Sequence, residues 1–195
     1  MRKEILITGL GGQGIVLAGQ VLGLAACLAD HLEASFTQSY GPEARGGACS
    51  AQLIISDAKI HYPYVRNADI LVCMSQSGYE KYRNMLKHEG TLIVDQDMVR
   101  SVESVSGDVF PVPATRMAEE LGRKMMANIV MLGFVTSVTE AVSLEGMLSS
   151  VADSVPKGTE KTNLAAFNKG YDLGRAMLKA RTKKAAAKHE SKEQG

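Results

Sequence analysis

The sequence predicts an α/β domain of three layers, with a mostly parallel sheet and a helical C-terminal part. Three observations carry this. An apolar run, Glu4 to Thr8, empties into a glycine-rich stretch and then directly into an apolar helix. Short apolar runs of strand length then alternate with polar or helical stretches as far as Val112. From Ala114 onward the apolar residues fall at helical spacing instead.

In order along the chain, residues 4 to 8 form the first strand and 14 to 29 the first helix. That helix is apolar on nearly every face, so burial is expected, with a sheet on one side and a partner subunit as a candidate cover on the other. Leu32 to Thr37 is the second strand, followed by the glycine- and proline-punctuated loop Gln38 to Ala48. Ala51 to Ser56 is a strand that Ile60 to Val65 would pair with through the Asp57-Ala58 turn, and Ile70 to Met74 is the next. Ser75-Gln76-Ser77 caps a helix expected from Gly78 to His88, which Gly90 ends. Thr91 to Asp95 and Val109 to Val112 complete the strands. Thr115 to Glu140 reads as a helix interrupted at Gly133, Ser143 to Ser154 as another, and Leu164 to Lys184 as the last. Residues 1–180 form one domain in this reading, and 181–195 a basic, disordered tail.

Composition limits the function classes. Lys+Arg number 22 and Asp+Glu 21 among 195 residues, a formal net charge of +1. Such a chain has no long-range field to recruit nucleic acid or an anionic membrane. The N-terminal apolar run ends in glycines too early for a signal peptide, and no stretch approaches the length of a membrane span, so a cytoplasmic protein is expected. Cys27, Cys49 and Cys73 are spaced for neither zinc nor an iron–sulfur cluster and are expected to be reduced core residues.

Two stretches carry chemistry. Gly9-Leu10-Gly11-Gly12-Gln13-Gly14 matches the G-x-G-x-x-G dinucleotide fingerprint in a strand-to-helix context, which makes the fold Rossmann-like. Backbone N–H groups and the positive end of a helix would converge there on phosphate or carboxylate. The fingerprint also needs an acid at the end of the second strand. Glu33 falls early in that strand and Asp30 before it, so an NAD(P)-binding protein is the weaker reading. The alternative is that the glycines only permit a tight turn. The second stretch, Gln38 to Ala48, sets Arg45 between Pro42-Glu43 and Gly46-Gly47, where a guanidinium fork can approach an anion. A plain surface loop with Arg45 paired to Glu43 is the alternative reading.

Taken in order, the glycine loop, Ser39-Tyr40-Gly41-Pro42-Glu43-x-Arg45-Gly46-Gly47 and Ile54-Ile55-Ser56-Asp57 resemble the gamma subunit of the 2-oxoacid:ferredoxin oxidoreductases. The likeness continues through Ala127-Asn128-Ile129-Val130-Met131-Leu132-Gly133, Ser143-Leu144-Glu145 and Asn163 to Tyr171, covering about residues 3 to 175. The Ser-Tyr-Gly-Pro-Glu-x-Arg-Gly-Gly form resembles the 2-oxoglutarate branch rather than the pyruvate or indolepyruvate branches, with Ala44 a small departure.

The resemblance implies a subunit of an enzyme that converts a 2-oxoacid, coenzyme A and oxidised ferredoxin to an acyl-CoA, CO2 and reduced ferredoxin. It implies alpha and beta subunits as partners, with a ferredoxin-like delta subunit as a further candidate. Thiamine diphosphate, Mg and the iron–sulfur clusters would sit on those partners, and no catalytic residue is expected in this chain alone. Gly9, Gly11, Gly12, Gln13, Gly14, Ser39, Tyr40, Gly41, Glu43, Arg45, Gly46 and Gly47 are the residues expected to bind substrate or coenzyme A. A freestanding NAD(P)-binding protein and a non-catalytic assembly protein, buried against a partner through its first helix and Met117, Met125, Met126 and Met131, are the rival readings.

Overall fold

In the computed structural model, residues 1–40 and 47–193 are described, with side chains as far as Ala185. The first strand, β1 (Arg2–Leu10), owes its central place to Ile5, Leu6 and Ile7, which are almost wholly buried. It is followed by α1 (Ile15–Leu24), which runs on into a π-helical turn, Ala25–Ala29. Next come β2 (Glu33–Ser39), β3 (Ala48–Ser56), β4 (Ala68–Cys73), α2 (Gln76–Tyr82), β5 (Leu86–Asp95) and β6 (Val109–Val112). The remainder is helical: α3 (Ala114–Glu120), α4 (Ala127–Thr139), α5 (Leu144–Ser154) and α6 (Glu160–Glu193).

Among the described residues the strands form one sheet in the order β2-β3-β1-β4-β5-β6. β1, β4, β5 and β6 are parallel, whereas β3 runs against both β1 and β2. The expected mostly parallel α/β architecture is therefore the observed one. Side-chain alternation divides the sheet between two cores. Ile5, Ile7, Leu53, Val72 and Ile93 face α1, α4 and α6, and Leu6, Ile54, Leu71, Leu92 and Val94 face α2.

Several boundaries differ from the sequence reading. α2 stops at Tyr82, and after a 3-10 turn at Arg83–Met85 the chain is extended from Leu86, where helix was expected to His88. The polar run Lys87-His88-Glu89 reads as helix locally, but Leu86 pairs with Ala68 and Lys87 forms an ion pair with Asp69 at 2.6 Å. Ile60 to Val65 is not a strand. Its backbone is held by side chains, with Val65 N–H donating to Gln52 Oε1 at 3.1 Å and Ser35 Oγ to the Pro63 carbonyl at 3.3 Å.

The helical interruption lies at Gly122, with φ of +83°, and not at Gly133. Gly133 sits inside α4 because α6 crosses there: an added Cβ would lie 1.9 Å from the Phe167 carbonyl oxygen, and one on Gly170 of α6 would lie 1.9 Å from that of Val130. The two glycines let the helix backbones touch. The final helix was expected to end near Lys184, whereas the helical backbone continues to Glu193. α1 is not covered on all faces, since Leu24, Cys27 and Leu28 are exposed, so Cys27 is not the core residue expected. No helix among the described residues is long and apolar enough to cross a membrane.

Candidate functional site

The parallel strands β1, β4 and β5 end on one edge, where open α/β sheets bind ligands. There β1 delivers the glycine loop. Gly12 and Gly14 both have positive φ, +92° and +71°, and Gly14 is the left-handed N-cap of α1. A Cβ on Gly14 would lie 2.3 Å from Asn128 Nδ2, which instead donates a 3.1 Å hydrogen bond to the Gly14 carbonyl. Gln13 is engaged at both ends of its amide, accepting from Leu10 N–H at 2.6 Å and donating to the Met74 carbonyl at 2.9 Å. This ties the loop to the end of β4. Among the described residues the N–H groups of Gly12, Gly14, Ile15 and Val16 have no acceptor, as expected for a helix start that offers donors outward.

The second stretch reaches the same edge because β3 is antiparallel. Ser39 closes β2 opposite Ser50, and Ala48 opens β3 opposite Leu10. Gly41, Glu43, Arg45 and Gly46 lie outside the described residues. Gly47, at the exit of that connection, accepts a 3.3 Å hydrogen bond from Gly11 N–H, while Ser39 and Tyr40 at its entrance are exposed. The two stretches singled out in the sequence are thus joined directly. Gly9 is inside β1, where a Cβ would meet Gln13 and Ile15, so it serves close approach within the chain.

Beside the glycine loop is a cavity of about 500 Å³ between the start of α1, the α3–α4 turn and the α5–α6 turn. Leu17, Met126, Ile129 and Val155 supply apolar wall, and Arg123, Lys124 and Asn163 supply polar groups. A smaller recess of about 230 Å³ continues past Gln13 to Met74 and Thr115. Sequence reasoning assigned no role to Arg123, Lys124, Asn128 or Asn163. The two asparagines stood in segments that carried the resemblance, and the Gly122 break preceding Arg123-Lys124 was the signal for a turn there. Of the methionines considered as interface, Met126 and Met131 are core residues and Met125 is 81% exposed.

At the end of β5, Asp95 is fully buried and accepts from Thr115 N–H and Oγ1, at 3.0 and 2.6 Å, and from Asp97 N–H at 3.1 Å. Burial raises its carboxyl above the usual carboxylate range, against the lowering effect of those bonds. Burial likewise raises the Cys49 and Cys73 thiols, which disfavours their thiolate forms. No group of three or more His, Cys, Asp or Glu side chains among the described residues is arranged to hold a metal. The dinucleotide criterion fails geometrically. Glu33 opens β2 at the opposite end of the sheet from the glycine loop, and β3 separates β2 from β1, about 10 Å across two strand spacings. Asp30 accepts from Ser143 N–H at 2.7 Å.

Residues 4–173 match the family described as pyruvate ferredoxin/flavodoxin oxidoreductase. The chain is 51% identical over 180 residues to 2-oxoglutarate synthase subunit KorC of Methanocaldococcus jannaschii, covering 91% of this chain and 96% of that one. It is 30% identical over 175 residues to pyruvate synthase subunit PorC of Methanothermobacter thermautotrophicus, covering 87% and 94%. Among solved structures, a keto/oxoacid ferredoxin oxidoreductase gamma subunit from Geobacter sulfurreducens superposes with a TM-score of 0.80 at 35% identity, covering 89% of this chain and 99% of that one. The fold recurs, at 23% identity and a TM-score of 0.81, within 31% of the longer 2-oxoglutarate:ferredoxin oxidoreductase chain of Magnetococcus marinus, which covers 90% of this chain. With its family match running through the glycine loop and all six strands, the chain belongs to the pyruvate ferredoxin/flavodoxin oxidoreductase family.

Proposed function

We propose that this chain is the gamma subunit of a multisubunit 2-oxoglutarate:ferredoxin oxidoreductase, which converts 2-oxoglutarate, coenzyme A and oxidised ferredoxin to succinyl-CoA, CO2 and reduced ferredoxin. The choice of 2-oxoacid is supported by identity of 51% to a 2-oxoglutarate synthase subunit against 30% to a pyruvate synthase subunit. The complex is cytoplasmic and includes alpha and beta subunits, with a ferredoxin-like delta subunit as a further component. Thiamine diphosphate with Mg, carried between alpha and beta, supplies the decarboxylation chemistry, and iron–sulfur clusters on partner subunits pass electrons to ferredoxin.

The gamma chain binds and orients. Its glycine loop and the Gln38–Gly47 stretch hold coenzyme A or the distal end of the 2-oxoacid at the subunit junction, and Arg45 neutralises an anion there. The observation that carries this reading is the Gly11 N–H to Gly47 carbonyl hydrogen bond, 3.3 Å, which joins both stretches on the ligand-binding edge of the sheet. Donors preset on a rigid edge cost little reorganisation when the ligand arrives.

The test is kinetic. Arg45→Ala in the reconstituted complex should raise KM for coenzyme A or for 2-oxoglutarate by tenfold or more, on the order expected for loss of a charged hydrogen bond. Unchanged values for both would remove the binding role. A panel of 2-oxoacids on the same complex tests the substrate.

A further inference from the structure

Gln13 is the one residue of the glycine loop with a long polar side chain, and that side chain turns back along the chain. Its backbone N–H donates to the Leu10 carbonyl at 3.1 Å, and its Oε1 accepts from Leu10 N–H at 2.6 Å. Its Nε2 donates to the Met74 carbonyl at 2.9 Å. An N–H can only donate and a carbonyl only accept, so the two partners fix which way the amide faces. Met74 is itself held to β1, its N–H donating to the Thr8 carbonyl at 2.7 Å. One side chain thus fastens the loop to the ends of two parallel strands, β1 and β4.

Gly9 makes room for that amide. An added Cβ there would stand 2.5 Å from Gln13 Oε1 and 2.6 Å from Ile15 Cδ1, and Gly9 is not among the glycines with positive φ. Space, not backbone freedom, is what this glycine supplies. Gly9 and Gln13 therefore work as a unit. With the Gln13 amide engaged inside the chain, the N–H groups of Gly12, Gly14 and Ile15 are the loop's outward donors. Their directions depend on the shape that Gln13 holds. Donors already in place bind with less ordering cost than donors that the ligand must arrange.

We propose that Gln13 is a positioning residue: it presets the donors of the glycine loop by bracing the loop against β4, and does not itself touch the ligand. The inference rests on the reading of this loop as a binding loop of the gamma subunit. Gly9 belongs to the same brace, as the position whose missing side chain admits the amide.

The experiment compares Gln13→Ala, Gly9→Ala and their double variant in the reconstituted complex, beside Arg45→Ala. Gly9→Ala leaves the Gln13 side chain present but expels it from its seat, so a brace and a direct ligand respond in opposite ways. Each single variant should raise, by about tenfold, the same KM that Arg45→Ala raises, with the other KM in place. The double variant should be no worse than either single one. Amide hydrogen exchange at residues 10–16 of the ligand-free complex should speed up in both, because a brace acts before any ligand arrives. If Gln13→Ala raises KM while Gly9→Ala does not, and exchange without ligand is unchanged, Gln13 is a direct ligand and the proposal is overturned. If Arg45→Ala raises KM and neither brace variant does, the positioning role falls and the binding reading stands. If none of the three changes either KM, both fall. Gly9→Ala, whose added methyl meets only the ends of flexible side chains, carries the test if Gln13→Ala fails to assemble.

Discussion

Asn128 at the start of α4 donates its side-chain amide to the Gly14 carbonyl at 3.1 Å, and so fastens the N-cap of α1 to a helix 114 residues away in the chain. Asn128 is 3% exposed, and Gly14 is left-handed with φ of +71°. Gly14→Ala should lower stability by about 2 kcal/mol or more, from a left-handed non-glycine residue together with overpacking against Asn128. Asn128→Ala removes the obstructing amide, so the double variant should be less destabilised than the sum of the two. A denaturant double-mutant cycle measures this coupling. Strict additivity would show that the contact is energetically idle.

The crossing of α4 and α6 depends on Gly133 and Gly170, each of which would bring a Cβ within 1.9 Å of a facing carbonyl oxygen. Backbone cannot yield as a side-chain tip does. Either glycine changed to alanine should therefore cost about 3 kcal/mol or more and loosen α6 before the sheet. Hydrogen exchange across 160–180, compared with β1 and β4, reports the order of loosening.

Asp95 gives a pH signature. Burial raises its carboxyl above the ordinary value of 3.8 in the folded chain. The native state therefore holds a proton that the unfolded chain releases first. Stability from this group is fully present below the unfolded value and declines as pH rises through the folded one. Asp95→Asn should abolish that component in urea titrations from pH 3 upward. It should also cost about 1–3 kcal/mol, since the amide nitrogen that replaces one carboxylate oxygen cannot accept from whichever donor it faces, Thr115 or Asp97 N–H.

Much of the fold was legible because the apolar runs at Ile5 to Ile7, Leu53 to Ile55, Ile70 to Val72 and Leu92 to Val94 are local signals of buried strands. Antiparallel β3 was not legible, since strand direction and order depend on pairings remote in sequence. Lys87 to Gly90 misled for the same reason: its extended form is set by Ala68 and Asp69, not by its own residues. In the candidate site, the glycine loop could be read because positive φ selects glycine. Arg123 and Asn163 were not singled out because they come together only in a cavity formed by three separate connections. Gln13 was read as a ligand residue, and both ends of its amide have partners inside the chain.

By running back along β1, β3 makes the 39–47 connection a hairpin link whose two ends are already anchored side by side, at Ser39–Ser50 and Leu10–Ala48. Such a link adds little closure entropy when its length or composition changes, and no strand of the sheet has to move to accommodate it. In the proposed binding role, the residues of that link can change while the glycine loop beside it stays tied to β4 through Gln13, which separates recognition from the common core.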